Sequence, residues 1–427
     1  MPRLGRRPRQ HVFSRAIERD EYDVWQLRSA FHLNDAQYTR HARNLVEQSF
    51  CAASRLFSLP ARPEPLHHSS HGLSRLISQT RSNVAPGAFA LPAVVPIAAI
   101  AAAAVALVKG GPTQPAPLES VNTPFSRVDF SDLPALRRYV ARDGASLAWR
   151  AYAPHIGTPK GCVVLIHGSS ASSASLHALA RAFATAGYAA CVPDIRGHGD
   201  SGLKGTIAYI GQLEDDLEDL IAAMPAEFVA LRRTLIGFSA GGGFVLRFAG
   251  GARQQLFARY VLVAPFLHRR APTTRPGPDG WVSVGVPRLV VLAMLNAVRV
   301  RAFNHLPTIA YALAREVREE LTPQYSFNLM RNFRPHDDYR ADIRGVTQPL
   351  CVLAGADDEM FDAHQYAAVF DEAGARVVVT LVSGVGHIGM TLDALAIAAI
   401  IDAVKVAGVE PSTGLSQEKK GLQVNGL

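Results

Sequence analysis

Between about residue 125 and residue 407, short and almost unbroken apolar runs alternate with stretches whose apolar residues recur every three or four positions. The runs are "GCVVLIHG" (161–168), "YAACVPD" (188–194), "RTLIGFS" (233–239), "RYVLVAP" (259–265), "PLCVLAG" (349–355) and "RVVVTLVSG" (376–384). A strand covered on both faces reads as a continuous apolar run, whereas a half-exposed strand alternates. Strands of that kind separated by helical patterns such as "SLHALARAFATAG" (175–187) and "YIGQLEDDLEDLIAAM" (209–224) predict an α/β protein. Its sheet should be mostly parallel, with helices on both faces. "RYVARDG" and "SLAWRAYAP" predict an opening antiparallel pair that turns at Asp143-Gly144, and "HIGMTLDALAIAAIIDAV" (387–404) reads as one closing helix. Between "VAPF" and "RADIRG" about 75 residues show no clear strands.

One of the apolar runs leads into "LIGFSAGGG" (235–243), where Gly237-Phe238-Ser239-Ala240-Gly241 fits G-x-S-x-G between a predicted strand and a predicted helix. A strand-to-helix turn that sharp strains the serine backbone and leaves room only for small residues two before and two after it. Ser239 is therefore the candidate nucleophile. A serine hydroxyl needs a neighbouring base to take its proton, and later strand ends supply one. "SGVGHIGM" places His387 after the last apolar run, and "LAGADDEMF" places Asp357, Asp358 and Glu359 after the run before it. An acid there would accept the imidazole N–H, fix the tautomer and stabilise the imidazolium. Spacing alone leaves Asp357 and Asp358 open, with Glu359 a more distant third. The oxyanion hole needs two backbone N–H groups. Ala240, directly after the nucleophile, and Ser169, in the loop "His167-Gly168-Ser169-Ser170" after the strand "VVLIHG", are the candidates.

Together, "LIHGSS", "DIRGHGDS" (194–201), "GFSAGG", "GADDEM" and "GVGHIG" resemble the α/β-hydrolase superfamily over about residues 140–407, and within it the lysophospholipase and monoacylglycerol lipase branch. The resemblance implies the α/β-hydrolase fold with a mostly parallel eight-stranded sheet and a cap inserted at about 266–340. It carries the nucleophile onto Ser239, the base onto His387 and the acid onto Asp358, because Gly355 matches the glycine of the family's G-x-x-D. Asp194, Arg196, Gly197, His198, Gly199 and Ser201 match a loop that braces the core, in which the histidine is structural. The elbow departs from the His-x-Ser-Met form usual in monoacylglycerol lipases. The implied activity is that of a serine ester hydrolase, carboxylesterase- or lysophospholipase-like, working through an acyl-enzyme on carboxylic esters that include lipid-derived ones. No metal or organic cofactor is implied. The alternatives are a thioesterase or peptidase with the same triad, or a non-catalytic binding protein on the same scaffold.

Charge and cysteine usage narrow the partners. Residues 1–81 hold 13 Arg and 7 acidic residues, which supplies most of the formal +8, and no basic stripe interleaved with aromatics follows. Nucleic acid is thus not an expected partner. Cys162, Cys191 and Cys351 lie within apolar runs, and Cys51 stands in the Arg-rich extension, with no CxxC among them. They read as small buried hydrophobes. The extension over 1–83 is expected to be disordered, its "HHSSH" (His67, His68, His71) a solvated loop rather than a metal site, and the tail over 409–427 likewise disordered. "VAPGAFALPAVVPIAAIAAAAVALV" (84–108) has no charge in 25 residues and reads as a single membrane span ahead of a linker at 109–124, with the hydrolase domain on the exported side. A cleaved signal is the competing reading, and a cytoplasmic or secreted protein is the alternative location. The apolar stretch 281–306, which carries Arg288, Arg299 and Arg301, reads either as a lid for acyl chains or anionic lipid or as ordinary packing with snorkelling arginines.

Overall fold

The structure, a computed structural model, describes residues 91–405 other than 155 and 276–279, and no side chain of 91–97 or 122. The Arg-rich extension over 1–83 with its three clustered histidines, Cys51, residues 84–90 and the tail over 409–427 lie outside the described residues. Among the described residues the chain divides into two compact units, 112–285 with 304–405 and 91–111 with 286–303.

Among the described residues the larger unit carries eleven strands. In chain order they are β1 (Arg137–Val140), β2 (Ser146–Tyr152), β3 (Cys162–Ile166), β4 (Ala189–Pro193), β5 (Arg233–Phe238), β6 (Arg259–Val263), β7 (Val282–Val284), β8 (Pro307–Tyr311), β9 (Gln324–Ser326), β10 (Leu350–Gly355) and β11 (Val378–Val382). Eight form one sheet in the order β1-β2-β4-β3-β5-β6-β10-β11. β2 runs antiparallel to both β1 and β4, and the remaining neighbours are parallel. This is the mostly parallel eight-stranded sheet of the α/β-hydrolase fold that the sequence led us to expect.

The unbroken apolar runs have a physical explanation in β3. Cys162, Val164 and Ile166 enter one hydrophobic cluster, while Val163 and Leu165 enter the cluster on the other face. Side chains alternate faces with period two, so a strand covered on both sides needs apolar residues at every position. β5 divides in the same way, with Leu235 in the first cluster and Ile236 and Phe238 in the second. Full burial of each such side chain contributes roughly 1.5–3 kcal/mol. The three described cysteines, Cys162, Cys191 and Cys351, are free thiols buried in these strands.

Two features differ from the sequence reading. The stretch between β6 and β10 does contain strands, since β7, β8 and β9 pair antiparallel into a separate small sheet. Strands of three, five and three residues are too short to establish a period. The closing helix is broken in two, Gly389–Leu392 and Ala394–Lys405. Asp393 between them takes an extended conformation, and its carboxylate accepts the N–H groups of Leu395 and Ala396 at 2.8 and 3.2 Å. It thereby caps the second helix and offers the backbone an alternative to helical continuation.

The smaller unit pairs the helix Leu91–Lys109 with the helix Val286–Ala297. Among the described residues no helix is long and apolar enough to cross a membrane, so the span expected over 84–108 receives no support. The four successive alanines Ala101–Ala104 bring little apolar surface per residue. Arg288 makes a specific contact within this unit. Its guanidinium donates to the carbonyls of Leu107 and Val108 at 2.8 and 3.0 Å. It thus supplies donors to carbonyls that the end of the Leu91–Lys109 helix leaves open.

Candidate active site

β5 ends at Phe238 and the helix Ala240–Ala249 begins two residues later, which leaves Ser239 alone to make the turn. Its backbone takes φ +55° and ψ −119°, a conformation that costs a non-glycine residue about 1–3 kcal/mol. The surroundings hold it there: its N–H donates to the Val263 carbonyl at 2.9 Å, and its own carbonyl accepts from Gly243 and Phe266, each at 3.0 Å. The two glycines of the motif are needed for close approach. A Cβ on Gly237 would lie 2.3 Å from the Gly241 carbonyl oxygen, and one on Gly241 would lie 2.3 Å from that of His167. The second contact matters twice, because His167 opens the loop that carries Ser169.

The ends of β10 and β11 bring two further groups to Ser239. The Ser239 hydroxyl lies 3.0 Å from Nε2 of His387, and Nδ1 of His387 lies 2.8 Å from Oδ2 of Asp358. Asp358 is wholly buried, and its Oδ1 accepts the N–H groups of Met360 and Phe361, both at 2.8 Å. Those two bonds leave Oδ2 for the imidazole. His387 is buried between the rings of Phe238 and Phe361, whose centroids lie 4.9 and 5.1 Å away. Burial, with the Asp358 charge nearby, raises the phenol of Tyr366 well above its ordinary range.

Asp357 and Glu359 do not reach the imidazole ring. Asp357 is exposed and is anchored through its main chain, its N–H donating to Val385 at 3.2 Å. Glu359 accepts the main-chain N–H of His387 at 2.9 Å, so the third candidate acid braces the backbone of the candidate base. Sequence reasoning missed one further contact altogether. Arg275, in the insertion after β6, donates from Nε and Nη2 to the Asp358 carbonyl at 3.2 and 2.8 Å. No motif surrounds it, and 83 residues separate the pair.

Ser169 follows β3, and Ala240 opens the helix after the elbow. Among the described residues no hydrogen bond engages the main-chain N–H of either. The loop 194–201 braces the same corner. Asp194 accepts from the N–H groups of Ser173 and Asp200 at 2.7 and 2.9 Å, and the Ser201 hydroxyl accepts that of Ala148 at 2.8 Å. Arg196 pairs with Asp216 through two contacts of 2.8 and 2.6 Å. His167 and His198 are fully buried, and burial holds both imidazoles below their ordinary range. Among the described residues no group of three or more His, Cys, Asp or Glu could hold a metal ion.

A sheet of this order, with a serine at the elbow after its fifth strand and a histidine in the loop after its last, defines an α/β-hydrolase. The chain belongs to the Hydrolase_4 family, described as serine aminopeptidase S33, whose profile matches residues 157–390, more than half of its length. It is also similar to a monoacylglycerol lipase of Mycolicibacterium smegmatis (strain ATCC 700084 / mc(2)155), 36% identical over 96 residues. That alignment covers 22% of this chain and spans 34% of the relative's length. Similar solved structures include a soluble variant of monoglyceride lipase from Saccharomyces cerevisiae in complex with a substrate analogue, at 17% identity and TM-score 0.49, covering 64% of this chain and 94% of that one. Another is a monoacylglycerol lipase of Paleococcus ferrophilus, at 18% identity and TM-score 0.46, covering 61% and 98%.

Proposed function

We propose that this chain is a serine ester hydrolase that works through an acyl-enzyme on carboxylic esters, with monoacylglycerol-like lipid esters as the substrate class. The observation that supports this best is the continuous contact from the Ser239 hydroxyl through both nitrogens of His387 to Asp358. In this reading the Ser239 oxygen attacks the ester carbonyl carbon while its proton passes to Nε2 of His387. The carbonyl oxygen becomes an oxyanion, which the N–H groups of Ser169 and Ala240 receive. As the tetrahedral adduct collapses, the carbon–oxygen bond to the alcohol breaks and His387 returns its proton to the departing alkoxide. Water then repeats the sequence on the acyl-enzyme, again deprotonated by His387, and releases the acid and free Ser239. Asp358 holds the Nδ1–H of His387 throughout and stabilises the transient imidazolium. The lipid-ester substrate draws support from the name of the Mycolicibacterium smegmatis relative.

The test is labelling by a fluorophosphonate, compared between wild type and Ser239→Ala, followed by hydrolysis of p-nitrophenyl esters of increasing chain length and of a monoacylglycerol. Labelling that disappears in Ser239→Ala, with ester turnover to match, is the expected result. A well-folded wild type that neither labels nor hydrolyses any ester overturns the reading. The family's description as serine aminopeptidase S33 favours one second reading, an aminopeptidase, so an amino-acid p-nitroanilide belongs in the panel. Turnover of the anilide in place of the esters would select it.

A further inference from the structure

The loop that carries Ser169 is held from outside the elbow. The next residue, Ser170, sits at φ +67°, a left-handed backbone that a residue with a Cβ enters only under constraint. The constraint comes from the segment around β9, more than 150 residues away in the chain. The Ser170 N–H donates to the Tyr325 hydroxyl at 2.6 Å, and its own hydroxyl donates to the Thr322 carbonyl at 2.6 Å. In return the Thr322 N–H donates to the Ser170 carbonyl at 2.9 Å. Trp281, just ahead of β7, adds an indole N–H to the Ser169 hydroxyl at 3.2 Å.

The Tyr325 hydroxyl also lies against Nε2 of His198, and the partners of that ring decide which way the protons point. Nδ1 of His198 faces two carbonyl oxygens, those of Ile195 at 3.2 Å and Arg196 at 3.4 Å. Carbonyls only accept, so Nδ1 carries the hydrogen and Nε2 presents its lone pair. The Tyr325 O–H therefore donates to Nε2, which turns a lone pair of the same oxygen towards the Ser170 N–H. Each bond in the series polarises the next. Tyr325 and His198 are both buried, so no bulk water competes for these groups.

We propose that Tyr325 is a positioning residue for the oxyanion hole: oriented by His198, it fixes the left-handed turn at Ser170 and so aims the neighbouring Ser169 N–H at the reacting carbonyl oxygen. The inference rests on the hydrolase reading above. It couples the insertion between β6 and β10, which brings Tyr325, Thr322 and Trp281, to the electrostatics of the reaction and not only to substrate access.

The test is Tyr325→Phe, which removes one oxygen and keeps the ring, assayed as the full chain on p-nitrophenyl butyrate with active sites titrated by fluorophosphonate. Outright loss of an oxyanion donor lowers kcat by about 10²–10³-fold, and a misaimed donor should lower it by about tenfold or more. KM should stay within about twofold. Binding of a trifluoromethyl ketone, whose adduct with serine carries an oxyanion, should weaken by the same factor as kcat/KM falls, while a non-reactive ether analogue of the ester binds as before. A purely structural role would lower the titrated site concentration and leave kcat per site alone, and that result overturns the proposal. Unchanged ketone binding overturns it equally. If Tyr325→Phe does not fold, hydrogen exchange in the wild type decides: the Ser170 amide must be strongly protected, and exchange near the unprotected rate sinks the idea. Ester turnover that survives Ser239→Ala would instead remove the hydrolase reading itself, whatever Tyr325→Phe does.

Discussion

The carboxylate of Asp358 lies 2.8 Å from Nδ1 of His387, while the carboxylate of its neighbour Asp357 is turned to solvent. Two adjacent acids on one loop therefore face different tasks. Asp358→Asn should lower kcat by about 10⁴-fold, because an amide presents the wrong donor to the imidazole and favours the wrong tautomer. Asp357→Asn should stay within a few-fold of wild type. Steady-state turnover of p-nitrophenyl butyrate by the two variants checks this, and equal losses would contradict the assignment.

Supports of the proposed acid and base should show smaller effects. Glu359→Ala removes the acceptor of the His387 main-chain N–H, and Arg275→Ala removes both donors to the Asp358 carbonyl. Both side chains are exposed, so each contact is weakened by solvent. A fall in kcat of about three- to tenfold is expected for each, roughly what a single hydrogen bond contributes, with little change in melting temperature. A fall beyond a hundredfold in either would mean that the residue touches the reaction directly.

The elbow glycines should tolerate nothing larger. In Gly237→Ala or Gly241→Ala the new methyl would stand 2.3 Å from a backbone carbonyl oxygen, too close without movement of the main chain. Each should lose about 3 kcal/mol or more, seen as a large drop in soluble yield and in the denaturant midpoint. Unchanged stability would show that the turn can open without cost.

Away from the elbow, Glu214 joins Arg247 at 2.6 Å and Asn332 at 2.7 Å. Burial pushes its carboxyl up, but the Arg247 charge and these hydrogen bonds outweigh that and leave it below its ordinary value. A carboxyl depressed in the folded state contributes stability that is present above its unfolded pKa, about 4.3. That stability is lost as pH falls through the lower folded value. Glu214→Gln should therefore cost about 3 kcal/mol at pH 7, and the gap to wild type should narrow as the pH falls below 4. Urea melts at both pH values test this, and a gap that widens in acid would reverse the sign.

Sequence alone determined those features whose causes are local. Apolar residues at consecutive positions of β3 and β5 announce strands covered on both faces, and the order of such runs implies the sheet. Gly237 and Gly241 announce the elbow because the steric demand falls within five residues. His387 was legible from its place directly after an apolar run. Tertiary structure decided what depends on direction or on distant partners. Asp358 and Asp357 carry the same side chain, and only the folded chain buries one of them, with Met360 and Phe361 holding its Oδ1 and His387 its Oδ2. Asp393 breaks the closing helix because its carboxylate captures two N–H groups, an outcome that apolar periodicity does not encode. Arg288 caps the end of a helix 180 residues earlier, and Tyr325 meets Ser170 across 155 residues. Periodicity and motif spacing carry information over one or two turns of chain. A hydrogen bond between residues that far apart exists only once the chain has closed on itself.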